Sequence, residues 1–275
     1  MCLIAFSWDP GGDMPLLLLA NRDEFYDRPT AVADWWPGHD GIWAGRDLQA
    51  GGTWLGLTRN GRFAALTNFR NGVPQHAQAP SRGGLVAGFL ESDVSPEHYS
   101  RQLMPRAHQY NGFNLVVGDI YGVTGPASVW YCGNQAGAEA RSLPAGLYGL
   151  SNAVLDTPWP KLQRLKARLA GLDSDHRELV QVCMGFLSDP TRADEAELPM
   201  TGISREWELD LSSIFIVGPD YGTRAQTVVQ AYADGTLEAT ERSFNGANQA
   251  RALQPDAVRC MRCAVAPGPE LSPEP

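Results

Sequence analysis

The chain has 275 residues, 43% of them hydrophobic and 19% charged, with a net charge of −9. That is enough apolar material for one large core or two small ones, and the acidic balance excludes a non-specific nucleic-acid binder, which needs a basic face. No apolar run approaches the roughly 20 residues of a membrane span. Five scattered cysteines, with only Met1 ahead of Cys2, fit a reducing compartment and a cytoplasmic location.

Cys2 to Ser7 and Leu16 to Asn21 read as two strands joined by the turn-forming WDPGGDMP. Trp54 to Thr58 and Phe63 to Asn68 flank Asn60-Gly61, a favoured tight-turn pair. Leu85 to Glu91 and the stretch after Pro96 are helical in pattern. Phe113 to Asp119, Val129 to Tyr131 and Gly146 to Ser151 return to strand. In the next helix Trp159, Leu162, Leu165 and Leu169 recur at helical spacing, and Gly171 stops it. A further helix places Leu179, Val182, Cys183 and Phe186 on one face. SSIFIVG and TRAQTVVQAYADGTLEATERSF read as strand, strand, Asp234-Gly235 turn, strand. Hairpins rather than regular crossovers imply an α+β fold with antiparallel sheets and segregated helices, best drawn as a two-sheet sandwich covered by helices. Residues 1–253 form one domain on this reading. Residues 254–275 are proline-rich and expected to be a disordered tail.

Cys2 is the first chemical candidate. Methionine is trimmed ahead of small residues, and cysteine is small enough. Trimming would give one residue both a thiol and a free α-amino group, whose ordinary pKa of about 7.7–8.0 suits it to take a proton near neutral pH. Nucleophile and base then need no separate positioning. From position alone, a buried strand cysteine without function is the more ordinary reading. Asp23, at the end of the adjoining strand, can orient and stabilise the amine; a surface ion pair is the alternative, and is preferred for Glu24 and Arg28. Asn68 closes a hairpin strand, where its amide can donate to an oxyanion or merely start a turn. Asn152 follows another short apolar strand. Arg224 precedes an apolar strand and can fix a carboxylate or support Asp23. The Cys260–Cys263 pair has zinc half-site spacing without a second half. The five histidines form no metal-spaced cluster, so no metal site is expected. Trp35, Trp36, Trp43 and Trp54 read first as core.

Cys2, the run Asn21 to Glu24, GGTWLG at 51–56, TNFR at 67–70, GLSN at 149–152 and GTRAQT at 222–227 occur in order and together. They resemble the NRDE family, that of the eukaryotic transport-and-Golgi-organisation protein two. The resemblance runs from Cys2 to about Phe244. It implies an N-terminal-nucleophile hydrolase fold, a four-layer αββα sandwich. It also implies links to haem trafficking and to lipid or acyl-coenzyme A homeostasis. The chain is more distantly similar to choloylglycine hydrolases and penicillin V acylases, which use a catalytic first cysteine. Carried over residue by residue, that likeness implies a catalytic set of Cys2, Asp23, Asn68, Asn152 and Arg224. Asn21, Arg22 and Arg70 would contact the ligand. No cofactor is required, and haem is a possible ligand; the expected partner is a small molecule. Where those hydrolases carry arginine, this chain has Ala20. Neighbouring strand residues face opposite ways, which on this reading keeps Arg22 from replacing it.

Overall fold

In the computed structural model, which describes residues 2–39, 41–172, 178–246, 248, 250 and 253–265, the apolar run after Pro15 does not end where its polar neighbours begin. Strand β2 (Leu16–Phe25) carries through Asn21, Arg22, Asp23 and Glu24. The expected end at Asn21 is corrected. β2 is hydrogen-bonded on one side to β1 (Cys2–Trp8) and on the other to β11 (Tyr221–Ala231), and this pairing holds the polar run extended.

These three strands are the centre of a six-stranded antiparallel sheet. β10 (Gly146–Leu150) lies beyond β1. β12 (Thr236–Ser243) and β13 (Ala257–Ala264) lie beyond β11. The second sheet has seven strands in chain order: β3 (Thr30–Trp35), β4 (Ile42–Asp47), β5 (Leu55–Thr58), β6 (Arg62–Asn68), β7 (Phe113–Asp119), β8 (Ser128–Gly133) and β9 (Arg141–Leu143). Asn60-Gly61 turns β5 into β6, with Gly61 at φ +83°, a conformation that favours glycine.

Four layers result. Ile4, Phe6, Leu18, Ala225 and Met261 of the first sheet pack against Leu55, Phe63, Ala65 and Val116 of the second. Helices α1 (Gly83–Leu90) and α2 (Pro96–Leu103) cover the outer face of the seven-stranded sheet through Leu85, Phe89 and Leu103. Helices α3 (Pro160–Ala170) and α4 (Leu179–Leu187) cover the six-stranded sheet. There Leu162, Leu165 and Met184 meet Leu3, Ala5, Leu17 and Leu19. Strands β1 and β2 are buried on both faces, which is why they read as continuous apolar runs. The order is αββα, the sandwich expected. No helix among the described residues is long and apolar enough to cross a membrane.

Three other departures have physical causes. SSIFIVG is not a strand: only Val217 makes a bridge, to Gly222. The Ile214 carbonyl is bonded instead by the Asn21 side chain, and the Ile216 amide by Thr223. β3 and β4 went unread because TAVADW and IWAGRD mix small, charged and aromatic residues without clean alternation. The expected tail from residue 254 contains β13, which pairs with the whole of β12 and buries Met261 and Val265 between the sheets. The prolines that follow dominated the composition; residues 266–275 of that expected tail lie outside the described residues.

A chain truncated after Gln254 is therefore expected to lose about 3–5 kcal/mol of stability. It forfeits two buried apolar side chains and a complete strand pairing. Urea unfolding of the truncated and full chains measures this, and equal midpoints would show that β13 contributes nothing.

Candidate active site

The register of β1 on β2 sets Cys2 opposite Arg22. Alternation then places both side chains on the inter-sheet face that holds Ile4 and Ala20, and Asp23 on the helix-covered face with Asn21 and Leu19. Ala20 and Arg22 are two residues apart, so they share a face. The expectation that Arg22 is turned away from the position of the missing arginine is corrected: Arg22 stands directly beside Cys2.

Cys2, Arg22 and Asp23 form one wall of a pocket of about 370 Å³, with Trp54, Asn68 and Arg82 on the others. The Arg22 guanidinium lies 4.3 Å over the Trp54 ring. It is 3.8 Å from Asp47 and 3.9 Å from Glu24. Arg28 completes this group, 2.8 Å from Asp47. Arg82 donates to the Gly112 carbonyl at 3.0 Å and to Gln75 at 3.1 Å. The loop before α1 is tied down by Asn111, which accepts from the His76 amide and donates to its carbonyl.

Burial pushes the Cys2 thiol up, and the Arg22 cation works against that shift. Burial also pushes the Asp23 carboxyl up, opposed first by the charge of Lys161. The Thr223 hydroxyl donates to Asp23 Oδ1 at 2.8 Å. A β-bulge puts Thr223 there: Thr223 pairs with Asp23 and Ala225 with Arg22, so Arg224 is the extra residue.

The remaining predicted residues fall in different places. Asn68 borders the pocket. Asn152 is fully buried behind it, donating to the Asn68 carbonyl at 2.9 Å and accepting from the Arg70 amide at 2.7 Å. Arg70 does not line this pocket but borders the neighbouring groove, ion-paired to Glu208 at 2.7 Å and stacked 4.5 Å over Trp159. Arg224 is not among the pocket-lining residues. Its guanidinium donates to the carbonyls of Phe25, Arg28 and Phe244 and to Asn245, which pins the turn after β2. Asn21 faces the helices and donates to the carbonyls of Leu187 and Ile214 at 2.9 and 2.8 Å. Of the tryptophans, Trp54 lines the pocket and Trp43 is core. Among the described residues no cluster of His, Cys, Asp and Glu could hold a metal ion.

The family model described as Transport and Golgi organisation 2 matches residues 1–246. The bovine (Bos taurus) Transport and Golgi organization protein 2 homolog is 39% identical over 271 residues, covering 91% of this chain and 96% of that protein. The human homolog is 38% identical over 260 residues, with 89% and 93% covered. This chain belongs to the Transport and Golgi organisation 2 family. Solved structures similar to this family member include a C2A mutant of conjugated bile acid hydrolase from Clostridium perfringens. It shows a TM-score of 0.48 and 9% identity over 95% of this chain and 92% of that one. Penicillin V acylase from Agrobacterium tumefaciens gives 0.44 and 13% over 94% and 85%.

Four residues of this Transport and Golgi organisation 2 member escaped the sequence reading: Arg82, Thr223, Glu208 and Lys161. Lys161 is 2% exposed. Its place four residues before Leu165 put it on the apolar face of α3, which was the available signal. Beyond Asn68 the pocket adjoins an apolar groove of about 460 Å³ that includes Val73, Ile203, Trp207 and Leu211.

Because burial raises the Cys2 thiol, its alkylation rate should still be climbing above pH 9, past the range of a free thiol near ~8.5. Arg22→Met removes one of the two positive charges that oppose the shift, the other being the chain's amino terminus, so the rate at pH 8 should fall about tenfold for each unit the thiol moves up. Iodoacetamide labelling read by mass at the Cys2 peptide checks both; a plateau by pH 8.5 would contradict the burial argument.

Proposed function

We propose that this chain is an N-terminal-nucleophile cysteine hydrolase that cleaves an amide or thioester bond in an acyl compound, with Cys2 as its first residue after removal of Met1. The observation that carries this reading is the pairing of Cys2 with Arg22 at the wall of a pocket that also holds Asp23 and Asn68.

The chemistry follows from the residues. The α-amine of Cys2 takes the thiol proton, and the thiolate attacks the acyl carbonyl. The side-chain amide of Asn68 and a backbone N–H hold the oxyanion, and Asn152 keeps Asn68 in place. As the carbonyl re-forms, the bond to the leaving amine or thiol breaks, and the α-ammonium returns the proton to it. Water, deprotonated by the same amine, then releases the acyl group as a carboxylic acid and frees the thiol. Asp23 orients the amine throughout. The apolar groove beside Asn68 suits an acyl chain, and the charged rim of Arg22, Arg28 and Arg82 suits a polar or anionic end. The scheme calls for no cofactor.

A second reading is favoured by the raised Cys2 thiol, which without its amine stays protonated at neutral pH. On that reading the same pocket binds haem or an acylated ligand and returns it unchanged. A panel of acyl amides and acyl thioesters separates the two. The hydrolase forms an acyl adduct on Cys2, seen as a mass increase that Cys2→Ala abolishes, and releases product. Asn68→Ala should then cut turnover by about 10²–10³ with little change in stability. Tight reversible binding of haem or acyl-coenzyme A, with neither adduct nor product across the panel, would leave only the second reading.

A further inference from the structure

The first turn of α3 holds a buried cation outside the proposed catalytic set. Lys161 packs with its helix against β1 and β10, on the helix-covered face of the six-stranded sheet that also carries Leu3, Leu19 and Asp23. Its Nζ has no hydrogen-bond partner among the described residues. An ammonium in that position is held by charge alone. The charged and titratable groups that act on it are Asp23 from β2, Cys2 from β1, Arg70 after β6 and Glu208 from α5 (Arg205–Asp210). Glu208 is already committed to Arg70 at 2.7 Å, and its Oε1 accepts from the Thr201 amide at 3.0 Å. Asp23 is therefore the anion whose charge acts most strongly on Lys161, ahead of Cys2 and Glu208. Burial lowers Lys161 to about 8, with the Asp23 charge holding it up.

We infer that Lys161 is a positioning residue that shares the Asp23 carboxylate with the α-amine of Cys2, and so keeps that amine neutral and able to accept the thiol proton. This rests on the hydrolase reading. The register fixes the arrangement: Cys2 pairs with Arg22, so the next residue of β2, Asp23, lies alongside the backbone nitrogen of Cys2. One Asp23 oxygen already accepts from Thr223. Two ammonium groups beside one buried carboxylate repel each other in a medium that screens poorly. The cheaper state has one of them neutral. A neutral α-amine is a base, whereas an α-ammonium locked onto Asp23 is not.

The test is a titration of the amine itself. Protein labelled with ¹⁵N-cysteine has a single amine nitrogen among its cysteine amides, and intact mass first verifies that Met1 is gone. The wild-type α-amine should titrate below the ordinary range of about 7.7–8.0. Lys161→Met, similar in length and uncharged, should raise that midpoint by about one pH unit or more, and Lys161→Arg should restore it. A folded Lys161→Met protein with an unmoved midpoint overturns the inference. If that variant does not fold, the wild-type titration decides, and a midpoint at or above the ordinary range overturns it. The titration needs no substrate. An absent acyl adduct therefore sinks the hydrolase reading without touching this result, and an unmoved midpoint sinks this inference without touching adduct formation. Met1 retained on the purified protein overturns both, and the mass shows it before the titration begins.

Discussion

Everything at the site depends on β2 staying a strand through its polar run. With β1 on one side and β11 on the other, the ladder holds Asn21 to Glu24 extended, and period-two alternation sorts them by face. Arg22 goes to the inter-sheet side with Cys2. Asn21 and Asp23 go to the helix side. A loop with the same four residues would have no such sorting. The thiol thus meets a cation on one face, while on the other the carboxylate accepts from Thr223 and feels the charge of buried Lys161. The backbone end of β1 lies between them.

That sorting separates residues that hold the scaffold from residues that face the pocket. Asn21 bridges two carbonyls beneath the sheet, and Arg224 clamps the turn that follows β2. Asn152 ties the end of β6 to the loop after β10. Each polar side chain answers buried backbone groups that would otherwise go unpaired. Cys2, Arg22, Asp23 and Asn68 are left with the cavity. The split explains how one run of sequence can be at once a folding determinant and a candidate site.

The sequence made the architecture legible where periodicity was clean. The apolar runs of β1 and β2, the Asn60-Gly61 hairpin and the Leu162-Leu165-Leu169 stripe each announce their element. It was illegible where burial is created by a distant partner. Nothing local marks VRCMRCAV as a strand until β12 is beside it, and SSIFIVG looks like a strand until Asn21 and Thr223 bind its backbone. At the site, the residues of short polar motifs were readable because they end or interrupt apolar runs. Arg22 was misjudged by a count of one residue along β2. Lys161 was missed because a lysine beside an apolar stripe ordinarily extends its charge to water, and only the packing of α3 against the six-stranded sheet prevents that.

The central claim is that thiol and base belong to one residue, Cys2, held at the end of β1. It is tested most directly by comparing the rate of acyl transfer to Cys2 in two forms of the protein, one with Met1 removed and one made in cells whose methionine aminopeptidase is blocked. Both keep the thiol, the pocket and the fold; only the first has the α-amine. The account predicts that the processed form acylates at least about 10²-fold faster, the usual contribution of a positioned base. Equal rates in the two forms would contradict it.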